Sequence, residues 1–294
     1  MTQPLHLATR SSRGRKRPWL EPLLLLSPAI VLLMLGFFLP VAQMVFSSVT
    51  SFQGESGFSL ANYAEVFKSD YYLSAMGRSL KLSLIQTLIT LLLALPLSYL
   101  MTRVSGRVSG ILMAIIILPL MTSVVVRTFG WVVLLAPNSW LGMLAKSIDP
   151  QKYGQGLLGT ETGIVISMVQ VLLPFAVLTL YGVMQNIDPK LEEAARTMGA
   201  GFISTLRTVV FPLSLPGLIS GATLVFALSV SSFITPRLVG GSRLPVLAGT
   251  IYNDATVNLD WPFAAAQSTL LFLAVVMLIF ATSRIGSSQS GTGK

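Results

Sequence analysis

The chain has 294 residues, of which 53% are hydrophobic and only 11% are charged, and its net charge is +9 at neutral pH. Soluble domains carry about 25% charged residues, so this composition, with a mean hydropathy of +0.74, indicates a membrane protein. The sequence has no cysteine and one histidine, His6, in a polar tail. This excludes disulfides and thiol catalysis and argues against a metal site built from histidine or cysteine.

Six apolar stretches are long enough to cross a bilayer as helices, since about 20 residues span its hydrocarbon core. The first is too long for the apolar part of a signal peptide, so we predict that it is retained as a span. The sequence therefore predicts an all-α membrane protein, with a basic tail (1–20), a six-span domain (21–284) and a polar tail (285–294). The predicted spans are residues 23–47, 82–101, 110–135, 163–184, 211–234 and 263–282.

The charged residues between these spans are unevenly distributed. Six spans place both termini on one side, and the segments on that side carry 12 basic and four acidic residues, whereas the opposite segments carry seven of each. Segments rich in lysine and arginine stay in the cytoplasm. We therefore predict that both termini and the loop 185–212 are cytoplasmic. The charge of +9 then needs no nucleic-acid partner.

The loop between predicted spans 4 and 5 has the features of two short helices separated by a glycine break. Asp188 and Pro189 are typical of a helix start, with a capping carboxylate followed by proline at the first helical position. Two glutamates follow in the first turn, where carboxylates complement the helix dipole. Gly199 and Gly201 are suited to ending that helix. On these local grounds the loop is either a docking surface or a simple connection.

The same segment resembles the EAA loop of ABC importer permeases, whose pattern is E-A-A-x3-G-x9-I-x-L-P. Val209 and Phe211 replace the isoleucine and leucine of that pattern, apolar for apolar. The resemblance implies that the loop is a coupling helix seated in an ATPase subunit, where the glutamate pairs with a basic residue. The residues that match the pattern are Glu193, Ala194, Ala195, Gly199 and Pro212.

Three longer segments, residues 78–103, 212–241 and 261–268, are similar to spermidine/putrescine-type permeases. This resemblance implies the type I ABC importer permease fold and import of a polyamine across a bacterial inner membrane. It also implies the partners: a periplasmic substrate-binding protein, two ATP-binding subunits, and a second permease that we expect to be a different chain. Opines, other small organic ions and iron carriers are alternative substrates, because the binding protein usually selects the cargo.

Arg127 is the only charged residue well inside a predicted span. Charges in a bilayer are costly and usually face a cavity or a partner, which would make Arg127 a pathway or gate residue. Alternatively, it lies about 12 Å from the outer end of a straight span and could snorkel to the headgroups. Gly217 and Gly221 form a G-x-x-x-G motif in predicted span 5, which is typical of close packing against another span or a second permease.

The sequence contains no ATP-binding motif, no catalytic arrangement of carboxylates or of serine and histidine, and no metal-ligand cluster. We therefore expect a transport subunit that is not an enzyme and holds no cofactor or metal, with ATP hydrolysed by partner subunits. Two alternatives are open. An ion-coupled secondary transporter is disfavoured because no acidic residue lies in a span core. A non-transporting membrane assembly protein is the other, and the intact EAA spacing argues against both.

Overall fold

The computed structural model describes residues 20–50 and 58–290, with side chains for 26–50 and 58–282. Apart from Leu20, the predicted basic tail lies outside the described residues, as do the last four residues of the polar tail. The helices of the described part are α1 (Leu20–Leu33), α2 (Leu39–Ser48), α3 (Ala61–Lys68), α4 (Asp70–Arg103), α5 (Gly106–Ile117), α6 (Val124–Leu135), α7 (Trp140–Ile148), α8 (Pro150–Tyr153), α9 (Glu161–Met184), α10 (Pro189–Thr197), α11 (Phe202–Thr205), α12 (Phe211–Val230), α13 (Ile234–Gly240), α14 (Leu247–Thr256) and α15 (Trp261–Ser290).

Continuous helices account for five of the six predicted spans. The chain divides into two units, residues 1–46 and 47–294, and the first unit holds most of the first span. The sixth span belongs to α15, which continues to Ser290 and so into the tail predicted at 285–294. The segments long and apolar enough to cross a membrane are Leu26–Ser48, Asp70–Arg103, Glu161–Met184, Phe202–Val230 and Trp261–Thr282.

Predicted span 3, residues 110–135, is not a straight helix. α5 runs into a short 3₁₀ turn at Leu118–Met121, and the two halves of the span meet at 98°. Pro119 in that turn has no N–H to continue the α-helical ladder, and Thr122 after it has an extended backbone. The expectation that Arg127 lies about 12 Å along a straight helix from the outer end of its span is therefore wrong.

α4 and α9 lie side by side and run in the same direction. About three turns into α4, Lys81 Nζ lies 2.6 Å from Oε2 of Glu161, the first residue of α9. Further along, Ser98 Oγ donates to the carbonyl of Val177 at 3.2 Å. Two parallel neighbours in a membrane require the chain between them to return once. The bent pair α5–α6 makes that return and so counts as the sixth span.

The face that α4 buries against its neighbours is polar for several turns. Several of its hydroxyl and amide groups make hydrogen bonds to other helices, as in the 3.0 Å contact between Ser229 Oγ on α12 and Ser83 Oγ. Ser229 also donates to Gln86 Oε1. Such bonds and close packing hold membrane helices together. The hydrophobic effect contributes little there, because lipid tails are as apolar as the side chains. The buried polar residues of this face are Ser79, Ser83, Gln86, Thr87, Thr90 and Ser98.

Candidate functional site

The loop between α9 and α12 contains the predicted helix, glycine break and second helix. The Asp188 carboxylate caps α10 by accepting the N–H of Lys190 at 3.0 Å, and Pro189 begins the helix. α10 ends where Gly199 takes φ of +89°, a left-handed backbone that favours glycine. The N–H of Ala200 then bonds to the carbonyl of Ala195 at 3.0 Å, closing the helix end. The direction of the chain after α10 is therefore tightly defined.

The second helix of the loop is the first part of a span rather than a separate element. Residues Phe202–Val230 form one continuous helix, interrupted only by a widened π turn at Leu206–Val210. In that turn the N–H of Phe211 bonds back to Leu206. Pro212, the last residue of the EAA pattern, follows directly and has no N–H to donate. The loop thus leads into α12 through one helix, in which the π turn and Pro212 are the places where it can bend.

The two sides of α10 have different environments. Ala195 and Glu192 are buried, with 5% and 4% of their surface exposed. The opposite side is exposed, and the apolar side chains of Met198 and Ile203 extend it with exposures of 82% and 79%. Exposed apolar side chains beside charged ones are typical of a protein interface. We call this side the exposed face of α10; it consists of Lys190, Glu193, Ala194 and Thr197.

Sequence reasoning missed Glu192 as a site residue. Its Oε1 accepts from Arg103 Nε at 2.9 Å and also from Nη2, and its Oε2 accepts from the Tyr99 hydroxyl at 2.9 Å. The only sequence signal was that Arg103 and Glu192 were both predicted on the cytoplasmic side. Opposite charges on one side of a membrane are too common to identify a pair.

Arg127 lies on α6 and is partly buried. Its Nη2 donates to the carbonyl of Thr122 at 3.3 Å. The Nε and Nη1 atoms are buried and find no hydrogen-bond partner within the described part of the chain. The adjacent Thr128 holds α6 against α13 through a 2.9 Å contact between its hydroxyl and that of Thr235. The contact at Thr128 therefore fixes α6, while the guanidinium itself has a single hydrogen bond within the described part of the chain.

The structure places the G-x-x-x-G motif of α12 against helices of the same chain. A Cβ on Gly217 would lie 3.0 Å from Cβ of Val183 on α9, and one on Gly221 would lie 3.2 Å from Cδ2 of Leu91 on α4. Both distances are shorter than ordinary contacts. These glycines therefore allow α12 to approach α9 and α4 closely.

A groove that sequence reasoning did not predict lies between α12, α14 and α15. Its volume is about 720 Å³ and its walls are mostly apolar. Phe233 and Tyr252 stack in one wall with ring centroids 4.8 Å apart. The guanidinium of Arg237 lies 5.9 Å from the centroid of the Tyr252 ring. The groove thus combines an aliphatic surface with an aromatic pair that already contacts a cation.

Residues 94–284 match the family of binding-protein-dependent transport system inner membrane components. The chain belongs to this family. It is 29% identical over 222 residues to the spermidine/putrescine transport system permease protein PotB of Haemophilus influenzae, covering 76% of this chain and 77% of that protein. It is also 30% identical over 140 residues to the corresponding protein PotC of Shigella flexneri, covering 47% and 53%.

A solved structure shares the fold of this family member. In the crystal structure of a bacterial alginate ABC transporter in complex with its alginate pentasaccharide-bound periplasmic protein, one chain matches with a TM-score of 0.70 and 16% identity. The match covers 95% of this chain and 97% of that one. The chain is thus a multi-pass inner-membrane permease subunit of an ABC importer with the type I fold. These findings confirm the predicted class over a secondary transporter or an assembly protein.

Proposed function

We propose that this permease imports a polyamine of the spermidine and putrescine class, delivered by a periplasmic binding protein. The proposal is supported by the similarity to PotB and PotC. Because the chain resembles two permeases of one kind of system, we propose a second, different permease as its partner. Two ATP-binding subunits on the cytoplasmic side would complete the transporter and hydrolyse ATP. Both termini of this chain would then be cytoplasmic.

The observation that carries the mechanism is the exposed face of α10. It presents the Glu193 carboxylate and the Ala194 methyl group outward from a helix that is capped at Asp188 and closed at Gly199. A helix of defined length and direction can insert into a cleft as a rigid body. We propose that this face docks on an ATP-binding subunit, with Glu193 pairing with a basic residue there.

On the substrate side, we propose that the groove between α12, α14 and α15 contributes to the wall of the pathway. A polyamine consists of methylene chains and ammonium groups. The apolar walls suit the methylenes, and the faces of Phe233 and Tyr252 suit an ammonium group through cation–π attraction. The Arg237 guanidinium, 5.9 Å from the centroid of the Tyr252 ring, would have to move aside for such a cation.

The docking proposal is tested in the complete transporter, reconstituted with both permeases, the ATP-binding subunits and the binding protein. We expect Glu193→Ala to lose ATPase co-purification and spermidine uptake, because breaking a desolvated charge pair across an interface costs about 2 to 5 kcal/mol. Glu65→Ala is the matched control, since Glu65 is an exposed glutamate on α3, which we predict on the opposite side of the membrane. Wild-type binding and uptake in Glu193→Ala would contradict the docking role.

The substrate proposal is tested separately, by measuring uptake of labelled polyamines. Labelled spermidine and putrescine should accumulate in proteoliposomes only when ATP and the loaded binding protein are both present. If neither polyamine is transported while another solute is, the substrate proposal fails and the docking proposal stands.

A further inference from the structure

A buried ionic contact joins α10 to the inner end of α4. Glu192 keeps only 4% of its surface exposed, and both of its carboxylate oxygens are used by α4. Arg103 donates to Oε1 through both Nε and Nη2, and the Tyr99 hydroxyl donates to Oε2 at 2.9 Å. Two charge-assisted hydrogen bonds to one carboxylate oxygen, with the Tyr99 hydroxyl on the other oxygen, restrict how α10 can sit on α4. We call these three residues the clamp.

Neighbouring contacts make the clamp more rigid. The Arg103 guanidinium lies 5.4 Å from the centroid of the Tyr99 ring, so the two α4 residues also hold each other. Arg196, one turn along α10, approaches Glu192 Oε2 at 4.0 Å. The ring of Phe202, which begins the second helix of the loop, lies 6.3 Å from that of Tyr99. Both helices of the loop therefore meet α4 at one point.

The clamp is poorly explained by stability alone. A buried ion pair costs about as much in lost hydration as it returns in attraction, and in some proteins such pairs serve to specify one geometry. Here the geometry specified is the position of α10 relative to α4. Because α4 packs along α9 and α12, a displacement of its inner end reaches the helices that form the centre of the second unit.

We infer that the clamp transmits movement of α10 to span α4, and that Glu192 is a positioning residue for coupling. Glu193 faces outward and would hold the ATP-binding subunit, whereas Glu192 faces inward and holds the span. The inference rests on the proposed docking of α10. It adds that transport needs a second, internal ionic contact in addition to the docking contact.

The test measures two quantities in the reconstituted transporter, ATP hydrolysis and spermidine uptake, and takes their ratio. In Glu192→Gln we expect the ATP-binding subunits to stay bound and to hydrolyse ATP. The uptake per ATP should fall about tenfold, which lies within the usual range of coupling between two sites. General destabilisation would lower hydrolysis and uptake together, so the ratio separates coupling from folding. Glu65→Gln is the matched control and should leave the ratio unchanged.

A charge exchange provides the second arm. The double variant Glu192→Arg with Arg103→Glu restores opposite charges at the same place, and we expect it to recover most of the ratio, whereas either single change should lose it. A normal ratio in Glu192→Gln would overturn the inference. Loss of ATPase binding that the exchange fails to restore would also overturn it, since Glu192 would then belong to the docking contact. Intact ATPase binding in Glu193→Gln would instead count against the proposed docking.

Discussion

At the scale of single residues, two consecutive glutamates on α10 have opposite environments. The helix turns by about 100° per residue, so Glu192 points to α4 and Glu193 points away from it. The EAA resemblance selects Glu193 because the pattern begins there. It could not select Glu192, whose importance depends on Arg103, 89 positions earlier in the chain. A contact between residues far apart in the chain cannot be recognised from the spacing of residues within one short motif.

Arg127 has two buried nitrogens whose hydrogen-bonding capacity is unused in the described part of the chain. Two buried guanidinium nitrogens without a hydrogen-bond partner in the described part of the chain are costly, and a carbonyl or acid of the second permease, or a gate contact with it, would satisfy them. We expect Arg127→Ala to reduce spermidine uptake while leaving membrane insertion and ATPase co-purification intact.

The matched control for Arg127 is Arg107→Ala, which removes an exposed arginine near the start of α5. The measurement is uptake by proteoliposomes with equal amounts of assembled transporter. If uptake in Arg127→Ala equals that of the wild type, the side chain only reaches the headgroups and has no part in transport.

At the scale of helices, the close approach of α12 to α9 depends on Gly217. A methyl group there would lie 3.0 Å from Cβ of Val183, and overpacking of this kind costs about 1 to 3 kcal/mol. We expect Gly217→Ala to lower the melting temperature of the purified transporter. Adding Val183→Ala should restore part of it, because the second change removes Cγ1 and Cγ2 of Val183 and leaves only Cβ close to the new methyl group.

Gly182→Ala on α9 is the control for this pair, because a Cβ there has nothing within 4 Å. It should leave the melting temperature unchanged or raise it slightly, since alanine favours a helix over glycine. A melting temperature for Gly217→Ala equal to that of the wild type would show that the contact between α12 and α9 can accommodate an extra methyl group.

The positions of the helices could be predicted from the sequence far better than their shapes. Long apolar runs located the spans, and Asp188, Pro189 and Gly199 bounded α10, because capping and left-handed turns are local chemistry. The bend of 98° in span 3 could not be predicted in this way. Pro119 permits a bend, but prolines also occur in continuous spans of this chain, such as Pro96 in α4. Packing against other helices decides which proline bends its helix.

At the scale of the whole molecule, two ion pairs are separated along α4. Lys81, about three turns into α4, pairs with Glu161 at the start of α9, and Arg103 at the end of α4 pairs with Glu192 on α10. The 22 residues from Lys81 to Arg103 rise about 33 Å in a helix, close to the 30 Å of a bilayer core. The separation of the two pairs therefore matches the thickness of the hydrocarbon core.

The orientation of these two pairs across the membrane follows from charge. The side of Arg103 and Glu192 carries the basic excess of 12 against four, whereas the side of Lys81 and Glu161 is balanced at seven against seven. Since basic segments stay in the cytoplasm, we expect a reporter fused after Lys294 to read cytoplasmic and reporters inserted near Asn62 or Gly154 to read periplasmic. Alkaline phosphatase, active only outside, and a fluorescent protein that matures inside should give opposite signals at each site. A cytoplasmic signal near Asn62 would reverse the map, and α10 could then no longer reach an ATP-binding subunit.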